Sequence, residues 1–367
     1  MKVICNRGAL LEALSVAGTV SSGRTPKPIL QCVKLTAADD RLVLAATDLE
    51  VAIRYTDAQV QIDQPGETLV PADRLRDIVR ESIDDTLSLE LVGEQLHIKG
   101  NDSHFKIFTQ NPAEFPPIPD FEGTADLIVQ GKVLKQLIGQ TLFAAAKEAS
   151  RYAFNGVLTT VRNKRLILVA TDGRRLALAR GDLLNPDEAP DGGSSIVPAK
   201  TLNLVDKLIS NPEESVSIKL TENQVIFHTT EATLTSNLIE GQFPPYEDVI
   251  PKECDRKMTA GTADLLSAVR RSALLTTQDS KGVRFTFDKT GLVLSSKSPE
   301  AGEATVNFSA KFEGGDIEIG FNPMFLTDAL KVVNTDEVTF ELLAANRPGL
   351  VKGGPNFTYV IMPVNLQ

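Results

Sequence analysis

Two rhythms of apolar and polar positions run along the chain, and their order recurs three times. Leu10, Leu14 and Ala17 fall on one face of a helical wheel, as do Leu134, Leu137, Ile138 and Leu142, and then Leu265, Leu266 and Val269. Such spacings predict amphipathic helices. After each helix comes alternation at a period of two, as in RLVLAATDLEVAIRY and RLILVATDGRRLALAR, which predicts half-buried antiparallel strands. A second amphipathic helix follows, with Leu75, Ile78 and Val79 turned inward in the first copy. Hairpin text closes each unit: LSLELVGEQLHIKG, VSIKLTENQVIFHTT and, less regularly, VTFELLAANRPGLVKG.

Literal text repeats as well. Val-Pro-Ala at Val70 returns at Val197, with a weaker third copy around Phe321 in GFNPMFLTDALKVV. Ala46-Thr47-Asp48 returns as Ala170-Thr171-Asp172, and Phe115-Pro116-Pro117 as Phe243-Pro244-Pro245. These markers share a period of about 125 residues, the signature of tandem units. The expected fold is therefore α+β, with three domains over residues 1–120, 121–252 and 253–367, each two helices packed on one side of antiparallel sheet. The proline-rich stretches after Phe115 and Phe243 are the expected boundaries, because proline stops strands and stiffens linkers.

A chain of 367 residues exceeds a single core, in keeping with several domains. No stretch approaches the roughly 20 apolar residues of a membrane span, and MKVICNRGALLEAL lacks a signal-peptide core, so a cytoplasmic protein without membrane contact is expected. Cys5, Cys32 and Cys254 are far apart, in no metal-like spacing, and read as small hydrophobes in a reducing compartment.

The net charge of −10 by itself argues against nucleic acid. Its distribution argues otherwise. Cations gather on the helices and their ends (Lys132, Lys135, Lys147, Arg151, Arg270, Arg271; then Arg74, Arg76, Arg80, Lys200, Lys207, Lys331), while acid collects in connecting segments such as Asp187-Glu188 and Glu213-Glu214. The separation is imperfect, since Asp73, Asp77, Glu81 and Asp206 also lie on helices. If the units close into a ring with helices inward, the bore is basic and the rim acidic, which attracts duplex phosphates only within the bore.

Nothing points to catalysis. The chain has no phosphate-binding Gly-rich loop, no zinc-protease helix, no nucleophile elbow and no paired-cysteine site, so neither cofactor nor metal is expected. His97, His104 and His228 lie in strand-like text without ligand spacing, and Asp48 and Asp172 each end a strand where a carboxylate satisfies a turn.

Taken together, the repeat and its landmarks resemble the bacterial β sliding clamp family, the processivity subunits of DNA polymerase III. The landmarks run in order along the chain: Gly23-Arg24, Pro28-Ile29-Leu30, Ala46-Thr47-Asp48-Leu49-Glu50, Val70-Pro71-Ala72, Arg151-Tyr152 with Asn155-Gly156, Ala170-Thr171-Asp172-Gly173 with Arg175-Leu176, Phe243-Pro244, Gly282-Val283-Arg284, Ile319-Gly320-Phe321-Asn322, and Tyr359-Val360 with Met362-Pro363. The resemblance implies a non-catalytic head-to-tail homodimer, six domains closing around duplex DNA with twelve helices lining the hole. It implies DNA contacts through Arg24, Arg74, Arg80, Arg151, Tyr152 and Lys200, which touch phosphates and so carry no sequence information. A partner-peptide pocket is implied at Phe154, Thr171, Gly173, Arg174, Arg175, Leu176, Pro244, Val249, Val360, Met362, Pro363 and Val364, an apolar cleft for Leu or Phe side chains. Phe105 and Ile107 of one subunit would meet Leu274 and Leu275 of the other. The implied partners are the polymerase III catalytic subunit, an ATP-driven clamp loader, and repair polymerases, ligase and mismatch-repair factors.

The chain departs from the family pattern in places. Ala153 follows Tyr152 where a second aromatic is frequent, and Asp73 and Ala199 stand where some relatives are basic. Arg174 replaces a common histidine and Asn365 a frequent terminal cation. The competing reading is a repeat scaffold that binds proteins without encircling DNA; it would share the pocket but need no basic helices.

Overall fold

The computed structural model describes residues 1–21, 25, 27–57, 59–147, 153–277 and 281–366. They form two compact units, Met1–Gly131 with Lys200–Leu238, and Lys132–Ala199 with Ile239–Gln367. All strand pairings given below are antiparallel.

In the first unit a five-stranded sheet runs β5 (Val60–Gln64), β1 (Lys2–Asn6), β7 (Thr86–Val92), β8 (Gln95–Lys99), β9 (His104–Phe108). An eight-stranded sheet runs β10 (Leu127–Gln130), β15 (Ser215–Leu220), β16 (Gln224–His228), β17 (Ala232–Asn237), β4 (Val51–Asp57), β3 (Arg41–Thr47), β2 (Cys32–Ala38), β6 (Gly66–Pro71). Helix α1 (Arg7–Ser21) buries Leu10, Ala13, Leu14 and Ala17 against β2, β3 and β4 and packs along α2 (Ala72–Glu81). The α1 entry is capped by the Asn6 carboxamide oxygen, which accepts from Ala9 N–H at 3.1 Å, so the strand-to-helix switch is written at one residue.

In the second unit a nine-stranded sheet runs β14 (Ser194–Pro198), β11 (Gly156–Arg162), β12 (Arg165–Thr171), β13 (Arg175–Asp182), β26 (Phe357–Ile361), β25 (Gly349–Gly353), β24 (Glu337–Leu342), β18 (Arg256–Gly261), β22 (Lys311–Glu313). A four-stranded sheet runs β21 (Gly302–Phe308), β20 (Gly291–Ser298), β19 (Val283–Asp288), β23 (Ile317–Phe321). Helix α3 (Gly131–Thr141) opens the second repeat here, whereas the other helix of that repeat, α4 (Ala199–Leu208), belongs to the first unit from Lys200 onward. Helices α5 (Thr262–Ser272) and α6 (Pro323–Val332) pack together, and α5 also lies on β20 and β21.

Each repeat supplies two sheet halves, both four-stranded in the second repeat and one of five strands and one of four in the first and third, and the sheets do not stop at the repeat boundaries. The β10-β15-β16-β17 half of the second repeat joins the β4-β3-β2-β6 half of the first through β17–β4, with Leu234 opposite Ile53 and Thr235 opposite Ala52. The β14-β11-β12-β13 half of the second joins a half of the third through β13–β26, with Tyr359 opposite Ala177 and Val360 opposite Leu176. Two halves are left over. Among the described residues β9 of the first repeat and β21 of the third each end a sheet.

One expectation is corrected. The alternation in RLILVATDGRRLALAR predicts half-buried strands, yet β12 is buried on both faces from Leu166 to Thr171. The proline-rich stretch after Phe243 is the cause. It does more than separate units: Ile239, Phe243, Tyr246 and Ile250 fold over the outer sheet face and close a core with Leu158, Ile167, Val169, Leu176, Leu178 and Val360. Phe115 and Ile118 cover Cys32 and Leu69 of the first repeat in the same way.

Candidate functional site

The turn that carries the Ala-Thr-Asp text is built identically twice. Asp48 Oδ1 accepts from Glu50 and Val51 N–H, and Asp172 Oδ1 from Arg174 and Arg175 N–H. The Thr47 hydroxyl donates to the Val51 carbonyl, and the Thr171 hydroxyl to the Arg175 carbonyl. Both aspartates are thus spent on turns. Residue 173 has φ +84° and is glycine, at no steric cost; its counterpart Leu49 holds φ +78° as a leucine.

The residues expected to form a peptide pocket lie, all of them, in the second unit, which also holds the second copy of this turn. Leu176 and Val360, paired across β13–β26, form the floor and are buried. Val249 is 42% and Met362 38% exposed. Pro244, Pro363 and Val364 are partly buried beside them, and Phe154 lies against Gly173, where a Cβ would meet its ring at 3.5 Å. The C-terminal segment is held in place by Met362 N–H donating to the Arg174 carbonyl and Val364 N–H to the Gly320 carbonyl, both at 2.9 Å. Gly320 is required by that approach, since a Cβ there would sit 2.5 Å from the Val364 carbonyl oxygen.

Arg175 is the residue whose part in the pocket changes. Its guanidinium is turned inward, donating to Asp172 at 3.0 Å, to Asp328 at 2.8 Å and to the Phe143 carbonyl at 2.8 Å, with the Phe325 ring 4.4 Å away. Burial opposes its charge, but the Asp328 hydrogen bond and the Asp172 carboxylate leave its pKa raised. With the side chain 11% exposed, Arg175 braces the Asp172 turn against Asp328.

The expected DNA contacts divide. Arg24, Arg151 and Tyr152 lie outside the described residues. Arg74 is exposed on α2 and, among the described residues, makes no ion pair. Arg80 is bridged to Asp77 at 3.1 Å and to Glu81 at 3.1 Å, and Lys200 to Asp48 at 2.5 Å. These two cations are therefore partly neutralised by the acids that sequence reading had noted on the same helices and turns. Lys147 lies beyond the end of α3, not on it.

The expected subunit-contact residues sit at the two unpaired halves. Phe105 is 41% exposed and Ile107 8% on β9, and Leu274 is 76% exposed after α5. Leu275 Cδ1 reaches the start of β21, 3.9 Å from where a Gly302 Cβ would be. Two further large apolar side chains are exposed, Ile83 at 80% and Phe108 at 70%, and the sequence pattern singles out neither. Ile83 precedes Asp84, whose carboxylate binds the Asn101 turn that leads into β9. An isolated isoleucine in ESIDD gives no periodic signal, and Phe108 lies on the opposite strand parity from Phe105 and Ile107.

Three similar two-half units in tandem, joined through continuous antiparallel sheets, define a clamp-type repeat protein. The DNA polymerase III beta subunit family matches almost the whole chain in three consecutive pieces, its N-terminal domain over residues 1–119, its central domain over 128–245 and its C-terminal domain over 247–365. The Beta sliding clamp of Pseudomonas putida is 35% identical over 372 residues and that of Escherichia coli K12 30% identical over 369, each covering 100% of both chains. Among solved structures, the DNA polymerase III subunit beta of Pseudomonas aeruginosa superposes with a TM-score of 0.92 at 32% identity, and the sliding clamp of Bacillus subtilis with 0.93 at 27%, again over 100% of both chains. The chain belongs to the bacterial β sliding clamp family. As a member it is a sliding clamp, a processivity subunit with three clamp domains and no catalysis of its own.

Proposed function

We propose that two copies of this chain close head to tail around duplex DNA, with domains at 1–120, 121–252 and 253–367, and tether the replicative polymerase there. The single observation that carries this reading is the pair of unmatched sheet halves. β4 and β13 occupy the same place in their repeats as β21, and β17 and β26 the same place as β9. Carrying the two observed joints onto the free edges, strand by strand through the pairings within each half, puts Phe105 opposite Ala304, Lys106 opposite Glu303 and Ile107 opposite Gly302. Both joints yield that same register. It brings Ile107 to the residue on which Leu275 rests, in keeping with the contact that the family resemblance implies.

Charge supports the same partner. His97, Lys99, His104 and Lys106 are neighbours on β8 and β9, whereas β21 carries Glu303 as its second residue, three positions after Glu300. A β9–β9 contact would set like charges together; β9 on β21 sets opposite ones together. A closed ring also leaves no bare sheet edge at the joint.

In this reading the helices face the duplex, Arg24, Arg74, Arg80, Arg151, Tyr152 and Lys200 contact phosphates, and retention is topological. The pocket around Leu176, Val360 and Met362 takes a short apolar peptide from the polymerase III catalytic subunit, the ATP-driven loader, and repair polymerases, ligase and mismatch-repair factors in turn. Met362 suits several occupants because its unbranched chain repacks. The ring works in the cytoplasm.

The test is retention on nicked circular DNA after treatment with loader and ATP, followed by linearisation in high salt. A ring stays on circles and runs off linear ends. Loaded protein that leaves both forms equally in salt holds DNA by charge alone, and the ring reading is then wrong.

A further inference from the structure

A cavity of about 300 Å³ opens in the second unit on the outer sheet face, at the hairpin end of β11 and β12. Its apolar wall is Ile167, Leu178, Ile250 and Pro251, and its cations are Arg162, Arg180 and Lys252. Strand pairing explains their convergence. Arg162 faces Arg165 across β11–β12, and Ile167 faces Arg180 across β12–β13, so the three arginines share one face. Like charges at such spacing repel unless something lies between them.

Two of the three are satisfied. Arg162 is paired with Glu247, and Arg165 with Asp182 at 2.8 Å and Asn356 at 3.0 Å. Arg180 is half-buried, and among the described residues its guanidinium makes neither a hydrogen bond nor an ion pair; Lys252 has no acid either. Burial holds the Arg180 pKa below its ordinary value; Tyr246, which also lines the cavity, opposes this and the Arg165 charge adds to it. A five-donor planar cation left without an acceptor in a partly closed site is costly, and guanidinium geometry matches an oxyanion.

We propose that this cavity is an oxyanion site, Arg180 binding a phosphate or carboxylate group whose apolar stem lies on Ile167, Leu178 and Ile250. It is separate from the peptide pocket: none of the expected pocket residues lines it. Glu247, the one carboxylate in the lining, stays on Arg162 and leaves Arg180 and Lys252 for the ligand.

The probes are phenyl phosphate and benzoate, with phenol as the neutral control, titrated calorimetrically into the full-length protein at constant ionic strength. One or both oxyanions bind the parent, phenol does not, and Arg180→Met weakens the binding at least about tenfold. Which oxyanion binds more tightly separates a phosphate site from a carboxylate site. Without any probe, Arg180→Met melts above the parent, because it removes an unpaired half-buried charge. Equal binding by parent and Arg180→Met, no binding of either oxyanion, or a lower melting temperature for the folded variant would overturn the proposal.

Discussion

The Arg175 guanidinium donates to the Asp328 carboxylate at 2.8 Å, tying the strand under the peptide pocket to helix α6. Removing one partner of a buried, multiply hydrogen-bonded charge strands the others. Arg175→Met is therefore expected to lower stability by about 3 kcal/mol, leaving Asp328 and the Phe143 carbonyl unmet. Peptide affinity falls only as far as the turn at Asp172 is disturbed. Denaturant melts beside peptide titration check this; lost affinity at unchanged stability would return Arg175 to the pocket wall.

The proposed joint makes a charge-swap prediction. Lys106→Glu and Glu303→Lys each put like charges opposite one another, weakening dimerisation by about tenfold per joint. The double variant restores it. In the single chain Glu303 pairs with Lys297 at 2.6 Å, so part of each change falls within the subunit, and the swap isolates the part between subunits. Sedimentation equilibrium reads all four proteins, and a double variant as weak as the singles would mean a different register.

On α2 the two arginines implied to contact DNA are expected to differ. Arg74→Ala lowers the salt slope of DNA binding by about one, the signature of one lost phosphate contact. Arg80→Ala lowers it less, because Asp77 and Glu81 already hold that side chain. Equal slopes for the two variants would show that the ion pairs open when DNA arrives.

His104 gives a pH prediction. Partial desolvation, then the charges of His97, Lys106 and Lys99, hold its pKa below the ordinary value. A histidine depressed in the folded state binds its proton more readily when unfolded, so its contribution is present above the unfolded pKa of about 6.5 and is lost as pH falls through the folded value. Melting temperature should drop on acidification across that window, and less steeply in His104→Gln. Parallel slopes for the two proteins would remove His104 as the cause.

The repeated turn yields a stability prediction. Leu49 holds the left-handed backbone that Gly173 supplies in the next repeat. Strain of roughly 1–2 kcal/mol is relieved in Leu49→Gly, against about 0.5–1 kcal/mol of added chain entropy in the unfolded state. A small net gain, on the order of 0.5 kcal/mol, should appear in thermal melts, and a loss would mean that Leu49 packs usefully despite being half exposed.

Much of the architecture was legible because it is periodic. The wheel through Leu10, Leu14 and Ala17 is the buried face of α1, and the doubled Ala-Thr-Asp text folds into the same hydrogen bonds twice. The sheet joints were not legible. Nothing local in VAIRYTD says that it pairs with ATLTSN, because antiparallel pairing is specified by both edges at once. Burial of β12 on both faces was hidden for the same reason, its cover arriving from the proline-rich segment far along the chain. The expected pocket residues came from the family landmarks, whereas the inward turn of Arg175 depended on Asp328, more than a repeat away.

Continuous sheets also set a timetable for synthesis. Tyr55 on β4 hydrogen-bonds Glu231, which precedes β17, across 176 residues of sequence. At ribosomal speeds of about 5–20 residues per second, a nascent β4 waits roughly 10–35 seconds for its neighbour. β13 faces a delay of similar length before β26 emerges. During those intervals a finished repeat offers an adhesive strand to any other nascent chain nearby, so crowded polysomes carrying this message are where misassembly would begin.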